Sequence, residues 1–333
     1  MSLAPLAIAV TTVVVALRQS TTAAALPARS RPRTASLVQS TCTRIGHHPR
    51  KTYADGWEES ATVRIAWHGS GSYTLEIGGC EILVDPFFSP AGAYGPWYTP
   101  NPHAPRPADY LNLHAPDLVL ITHGHFDHCD LETVKALTAI RPLRIVTSDA
   151  VAAALLRHCG LGSDGVAALA PGRDLDVGAV RLQAFAGVHW LTGVEGDDAA
   201  RKLDRPDRYG VFPAGGPSLG FLAAAGRDRA YLSGDTTLAG VPELSAPVAI
   251  VNAGTHMRNP ATKEVDTPVV TGDDLPQVAL RLQARVLVPL HWDYPLFMEP
   301  FDLAAARGRM AAACPTCRLV VPAYNEWTEL SAG

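Results

Sequence analysis

Three histidines and an aspartate stand within six consecutive residues, His123-Gly-His125-Phe-Asp127-His128, directly after the apolar run Asp117 to Thr122. Imidazole nitrogen and carboxylate oxygen are the donors taken by zinc and similar divalent ions. The alternate spacing of His123 and His125 lets one turn present ligands to two neighbouring metals. The competing explanation, a polar turn with chance histidines, is weak, because so many ionisable groups at the end of an apolar strand have little structural use. Cys314-Pro-Thr-Cys317 has C-x-x-C spacing but no second pair to complete a zinc knuckle. It reads either as a redox or disulfide unit or as two small buried residues.

The elements that must hold these groups are short. ATVRIAW (61–67), SYTLEI (72–77) and CEILVD (80–85) are strand-like runs bounded by Gly and Ser, and Gly78-Gly79 marks a hairpin. DLVLIT (117–122) reads as a buried strand, so the histidine cluster opens at a strand's carboxyl end, where sites form in α/β folds. Helical spacing follows over 130–140, a strand over 143–147 and an alanine-rich helix over 149–159. The second half repeats the pattern, with strands at 179–185, 218–225, 229–234, 247–252 and 285–290 and helices near 273–284 and 302–313. Two β-rich halves, each followed by helices, predict an α/β chain with two sheets and helices outside.

The motif His123-x-His125-x-Asp127-His128 resembles that of the metallo-β-lactamase superfamily. Its later ligands are matched in order, each at a strand end: His189 in AFAGVHW, Asp235 in YLSGDT and His291 in VLVPLHW. The resemblance covers about residues 61–325 and implies a four-layer αββα sandwich with two divalent metal ions, zinc foremost and manganese as the alternative. It places one metal on His123, His125 and His189 and the other on Asp127, His128 and His291, with Asp235 bridging. It also implies that a hydroxide held between the metals attacks an ester, lactone or phosphodiester bond, Asp235 positioning it. Asp127, between two metal-binding histidines, is then both a ligand and the candidate proton carrier to the leaving group.

Asp85 in EILVDPFFSP matches the superfamily's supporting aspartate beneath the metal loop, although taken alone it reads as a turn residue before Pro86. His68 in WHGSGSYTLEI, the Gly-Asp-Thr at 234–236 and His291-Trp292 resemble the subgroup of L-ascorbate-6-phosphate lactonase and N-acylphosphatidylethanolamine phospholipase D. His68 reads equally as a packed turn residue or as a supporting site residue. The charged segment Thr192 to Pro213 follows His189 and is expected at the mouth of the site, where Arg201, Lys202, Arg205 or Arg208 would receive an anionic group or simply be solvated. His256 in NAGTHMRNP is a comparable loop histidine.

With 333 residues, 47% of them hydrophobic, the chain can bury a full-sized core, and a formal charge of −4 supplies no basic field for a nucleic-acid partner. The expected partner is a small molecule. Residues 3–17 form an apolar run with no Lys or Arg before it, which reads equally as an export signal or an uncleaved leader. The predicted organisation is a leader over 1–26, a basic polar linker over 27–60 and a hydrolase domain over 61–330, with location open between secreted and cytoplasmic and membrane association open as well. Hydrolysis competes with three other functions: phospholipase D-like cleavage of a membrane lipid, iron-dependent redox chemistry on the same fold, and a non-catalytic binding module. Di-iron members usually carry Glu where this chain has His125, and a module would usually lack ligands.

Overall fold

The computed structural model describes residues 63–94, 98–189, 216–258, 265–294 and 299–330. The leader, the linker and the Thr192–Pro213 segment, with Arg201, Lys202, Arg205 and Arg208, lie outside these residues. Among the described residues, no helix is long and apolar enough to cross a membrane.

The chain opens with β1 (Arg64–Trp67), β2 (Tyr73–Ile77) and β3 (Cys80–Val84) as an antiparallel meander. Gly78 and Gly79 turn the β2–β3 hairpin at φ +57° and +72°, a left-handed pair that suits a two-residue hairpin and that residues with a Cβ resist. After α1 (Pro107–Leu113) come β4 (Leu118–Leu120), α2 (Leu131–Ile140), β5 (Ile145–Thr147), α3 (Asp149–His158) and β6 (Val166–Ala168), the strands adding in parallel to the meander. A second sheet contains β7 (Asp174–Val177), β8 (Val180–Ala186), β9 (Leu219–Ala225), β10 (Asp228–Leu232) and β11 (Val248–Gly254). The pair β12 (Met257–Arg258) and β13 (Val265–Asp266) stands apart, and β14 (Val270–Thr271) joins β11. Then follow α4 (Leu275–Leu282), β15 (Val286–Leu290), α5 (Leu303–Ala313), β16 (Arg318–Leu319) and β17 (Trp327–Glu329).

The apolar runs are continuous because these strands are buried on both faces. Leu118 and Leu120 enter the layer between the sheets, whereas Val119 and Ile121 pack beneath the helices of the first sheet. On β11, Val248 and Ile250 face the other sheet while Ala249, Val251 and Ala253 face α4 and α5. A one-residue slip would exchange these sets, so two distinct cores hold the register. The result is the expected four-layer αββα arrangement.

One expectation is corrected in detail. The sheets do not divide the sequence into halves: β17 returns from the C-terminus to pair antiparallel with β1, Ile65 opposite Thr328. Pro107–Leu113, to which the sequence pattern assigned no element, is a helix with proline in its first turn and Tyr110 buried against α2's layer. Cys314 and Cys317 are free thiols in the apolar layer beneath α5, which favours the packing explanation for that pair.

Candidate metal centre

The turn after β4 is tied down at both ends. His128 N and Cys129 N donate to His125 O at 3.0 and 2.7 Å, folding His125, Asp127 and His128 toward one another. Beyond it Asp130 caps α2 and accepts hydrogen bonds from Ser89 Oγ, Tyr94 Oη and Thr133 Oγ1, each at 2.6 Å. Phe126 packs among Phe87, Tyr94 and Tyr98, with ring centroids 5.9, 6.4 and 6.0 Å away.

The remaining groups arrive from the ends of other strands: His189 beyond β8, Asp235 beyond β10 and His291 beyond β15. One donor atom from each of His123, His125, His189 and Asp235 lies within 4.8 Å of the others, and the same holds for Asp127, His128 and His291. Asp235 Oδ2 stands beside both groups, 3.9 Å from His123 Nε2, 3.6 Å from His189 Nε2 and 3.4 Å from His128 Nε2. Asp127 Oδ2 is 3.2 Å from His291 Nε2 and 3.6 Å from His128 Nε2. The structure therefore brings together all seven residues anticipated from the sequence.

Proton accounting shows which nitrogens can bind a cation. Asp85, at the end of β3, accepts from Thr122 N (2.7 Å), Thr122 Oγ1 (2.7 Å) and His128 Nδ1 (2.8 Å). With its hydroxyl proton committed to Asp85, Thr122 Oγ1 receives His123 Nδ1–H at 3.0 Å, which leaves the lone pair of His123 on Nε2. His189 Nδ1 donates to the Pro268 carbonyl at 2.8 Å, with the same consequence. His128 Nε2 is buried and makes no hydrogen bond. A buried polar atom left unpaired is costly. Converging imidazole lone pairs with two carboxylates are the donor set of a divalent cation, so the residues fit the metals that the resemblance implies.

The electrostatics divide the set: at His128 and His291 burial is outweighed by Asp235 and Asp127, which raise their pKa, whereas burial prevails at the other three rings. Burial lowers the pKa of His125 to about 3 and carries His123 and His189 downward as well, so these rings are neutral at physiological pH. Burial opposes charge on Asp127, yet His128 and His291 outweigh it and hold the carboxyl at about 2. Asp235 is likewise held well below the carboxylate range by His128 and His291, against the effect of burial. Asp85 is raised by burial, which His128 and Thr122 offset only in part. Two site residues sit in left-handed backbone without being glycine, Asp85 at φ +45° and His291 at φ +72°. Such strain persists where surrounding structure enforces it; here His291 N donates to Ser70 O at 3.0 Å.

Three contributors lacked a sequence motif. Asn252 on β11 donates from Nδ2 to Asp235 Oδ1 at 2.8 Å, and its trace in the sequence is an amide ending the apolar run PVAIVN. Gly71 lies so close that a Cβ there would meet His128 Cε1 at 2.9 Å, Asn252 Nδ2 at 3.0 Å and His291 Cδ2 at 3.2 Å. The Pro268 carbonyl orients His189 from a segment with no visible signal.

His68 and His256 do not join the cluster. His256 is exposed and its Nδ1 pairs with Thr267 Oγ1 at 2.8 Å. His68 is buried, with Nε2 at 2.8 Å from Thr74 Oγ1 and Nδ1 at 2.8 Å from Asn325 Oδ1, and its ring meets Phe88, Tyr110 and His114 edge-on. It therefore fastens the β1–β2 turn to the segment before β17. Burial lowers its pKa from 6.5 to about 3. Between those values the unfolded chain holds one more proton than the folded one, so stability present above pH 6.5 is lost as pH falls, by about 1.4 kcal/mol per unit. Urea unfolding of His68→Gln between pH 7.5 and 5 should show a pH slope shallower by about that amount. Identical slopes would mean that His68 binds its proton equally well in the folded and unfolded chain.

The family model described as a β-lactamase superfamily domain matches residues 81–292. A metal-dependent hydrolase of Thermoplasma volcanium is 26% identical over 277 residues, covering 80% of this chain and 99% of that protein. A possible metal-dependent hydrolase from Veillonella parvula has a similar fold, with TM-score 0.59 and 18% identity over 81% of this chain and 99% of that one. A metallo hydrolase from Ignicoccus hospitalis gives TM-score 0.57 and 17% identity, covering 81% and 99%.

Proposed function

Because the chain belongs to the metallo-β-lactamase superfamily, we propose that it is a metal-dependent hydrolase using two divalent cations to cleave an ester, lactone or phosphodiester bond in a small molecule. The observation that carries this reading is the convergence of five imidazoles and two carboxylates in two sets that meet at Asp235 Oδ2. The relatives named as metal-dependent hydrolases support the reaction class.

In this reading His123, His125 and His189 would hold one cation and Asp127, His128 and His291 the other, with Asp235 shared between the two sets. Zinc suits the imidazole-rich set, with manganese as the alternative. When bound, such a pair supplies a hydroxide at neutral pH and a Lewis acid for the substrate oxygen. The protein's own contribution is orientation. Asp85 fixes the His128 tautomer, Thr122 that of His123, and the Pro268 carbonyl that of His189. Asp127, with Oδ2 at 3.2 Å from His291 Nε2 and 3.6 Å from His128 Nε2, would accept the proton of the attacking hydroxide as the bond breaks and pass it to the leaving group. The catalytic domain spans 61–330 behind a leader (1–26) and a linker (27–60).

Elemental analysis of the purified protein, with a panel of ester, lactone and phosphodiester substrates, tests this directly. About two equivalents of zinc or manganese are expected, with turnover that a chelator abolishes and added metal restores. Folded protein without metal, or turnover indifferent to chelation, would overturn the reading. Iron without hydrolysis would put redox chemistry in its place.

A further inference from the structure

Asn252 is 3% exposed and lies on the face of β11 that Val248 and Ile250 turn toward the other sheet, at the end where that layer opens into the histidine cluster. An amide buried there is unfavourable unless it is paired. Its backbone N–H donates to Ser233 Oγ at 2.9 Å, which ties it to the strand end that carries Asp235, and its side chain donates to Asp235 Oδ1 at 2.8 Å. The two oxygens of Asp235 thereby become unequal. Oδ1 is engaged by the amide and approaches only His291 Nε2, at 4.0 Å, whereas Oδ2 is the oxygen that neighbours His123 and His189 of one set and His128 of the other.

We propose that Asn252 is a positioning residue that holds Asp235 so that Oδ2 alone faces both metal-binding sets; this rests on the function proposed above. A carboxylate free to rotate can turn both oxygens to one cation and abandon the other. The Asn252 hydrogen bond prevents that turn, so it matters most for retaining the second cation. Gly71 lies beside the same amide, where a Cβ would stand 3.0 Å from Asn252 Nδ2.

The test is titration of metal-stripped protein with zinc against a chromophoric chelator, for wild type and Asn252→Leu, which keeps the branched shape and removes the donor. Asn252→Ala is measured in parallel and decides the matter if the leucine variant does not fold. The weaker binding step is expected to loosen about 10- to 100-fold while the tighter step changes less than about threefold. For whichever ester, lactone or phosphodiester is turned over, kcat should fall with KM nearly unchanged. Two unchanged steps in a folded variant would overturn the assignment. Equal loosening of both steps with a lowered melting temperature would also overturn it, since that is what a merely structural role gives. Wild-type protein that takes up no zinc would instead sink the underlying hydrolase reading.

Discussion

Asp235→Ala is expected to lose at least one of the two metal equivalents proposed above and to lower kcat/KM by about a thousandfold or more, equivalent to roughly 4 kcal/mol of transition-state stabilisation. The carboxylate sits within 4.0 Å of His123, His128, His189 and His291, so it is the acidic group that both sets share. His128 and His291 hold it ionised in spite of complete burial. Removing it would take away the negative charge that offsets the cations of the proposed centre, in a region of low effective dielectric where such a loss is least compensated by water. Asp235→Asn keeps the shape, and most of the contact with Asn252, but not the charge. It should lose nearly as much, which separates electrostatics from packing. Metal analysis and steady-state kinetics on variants with wild-type far-UV circular dichroism provide the check. Either variant holding two metals with kcat/KM within tenfold of wild type would remove Asp235 from the centre of the site.

The second large effect is expected at a residue with no side chain. Gly71 lies between β1 and β2, and its backbone is not in the left-handed region, so a substitution there is limited by space alone. A Cβ would stand 2.9 Å from His128 Cε1 and 3.2 Å from His291 Cδ2, pressing on rings from the same metal-binding set. Neither ring can yield cheaply: His128 is pinned to Asp85, and the His291 backbone is pinned to Ser70. Gly71→Val should therefore misplace these ligands by a substantial fraction of an ångström and cost about 10²-fold in kcat/KM. Overpacking should remove about 1–3 kcal/mol of stability, a fall of several degrees in Tm that leaves the protein folded. Gly71→Ala, with fewer atoms to accommodate, should show a smaller loss of the same kind. Kinetics and thermal melts of the two variants decide the point. Wild-type kcat/KM in Gly71→Val would mean that the turn does not restrain the ligands.

The sequence by itself determined the elements whose cause is local. The β2–β3 hairpin was legible because Gly78-Gly79 meets a backbone demand that few other pairs meet. The strands at 118–120, 248–254 and 286–290 were legible because two-sided burial requires continuous apolar runs. The six-residue motif His123 to His128 declared its chemistry, since its groups are adjacent in the chain and need no fold to be seen together. Tertiary structure decided whatever depends on where distant strand ends meet. His189, Asp235 and His291 are single polar residues after apolar runs, as is His256; family resemblance singled out the first three, and the meeting of β4, β8, β10 and β15 is what brings their donor atoms together while His256 stays outside. His68 stands beside the site in sequence resemblance but is held by Thr74 and Asn325, a partner 257 residues away. β17 is a weak strand by pattern, and it is defined by its antiparallel pairing with β1, a partner from the other end of the chain. Asn252 and Gly71 became visible only in three dimensions, because the amide's role depends on a carboxylate from the neighbouring strand and the glycine's on the imidazole rings packed against it. Local composition encodes what a segment can become, whereas charge pairing and steric fit between remote segments exist only after the two sheets have closed on each other.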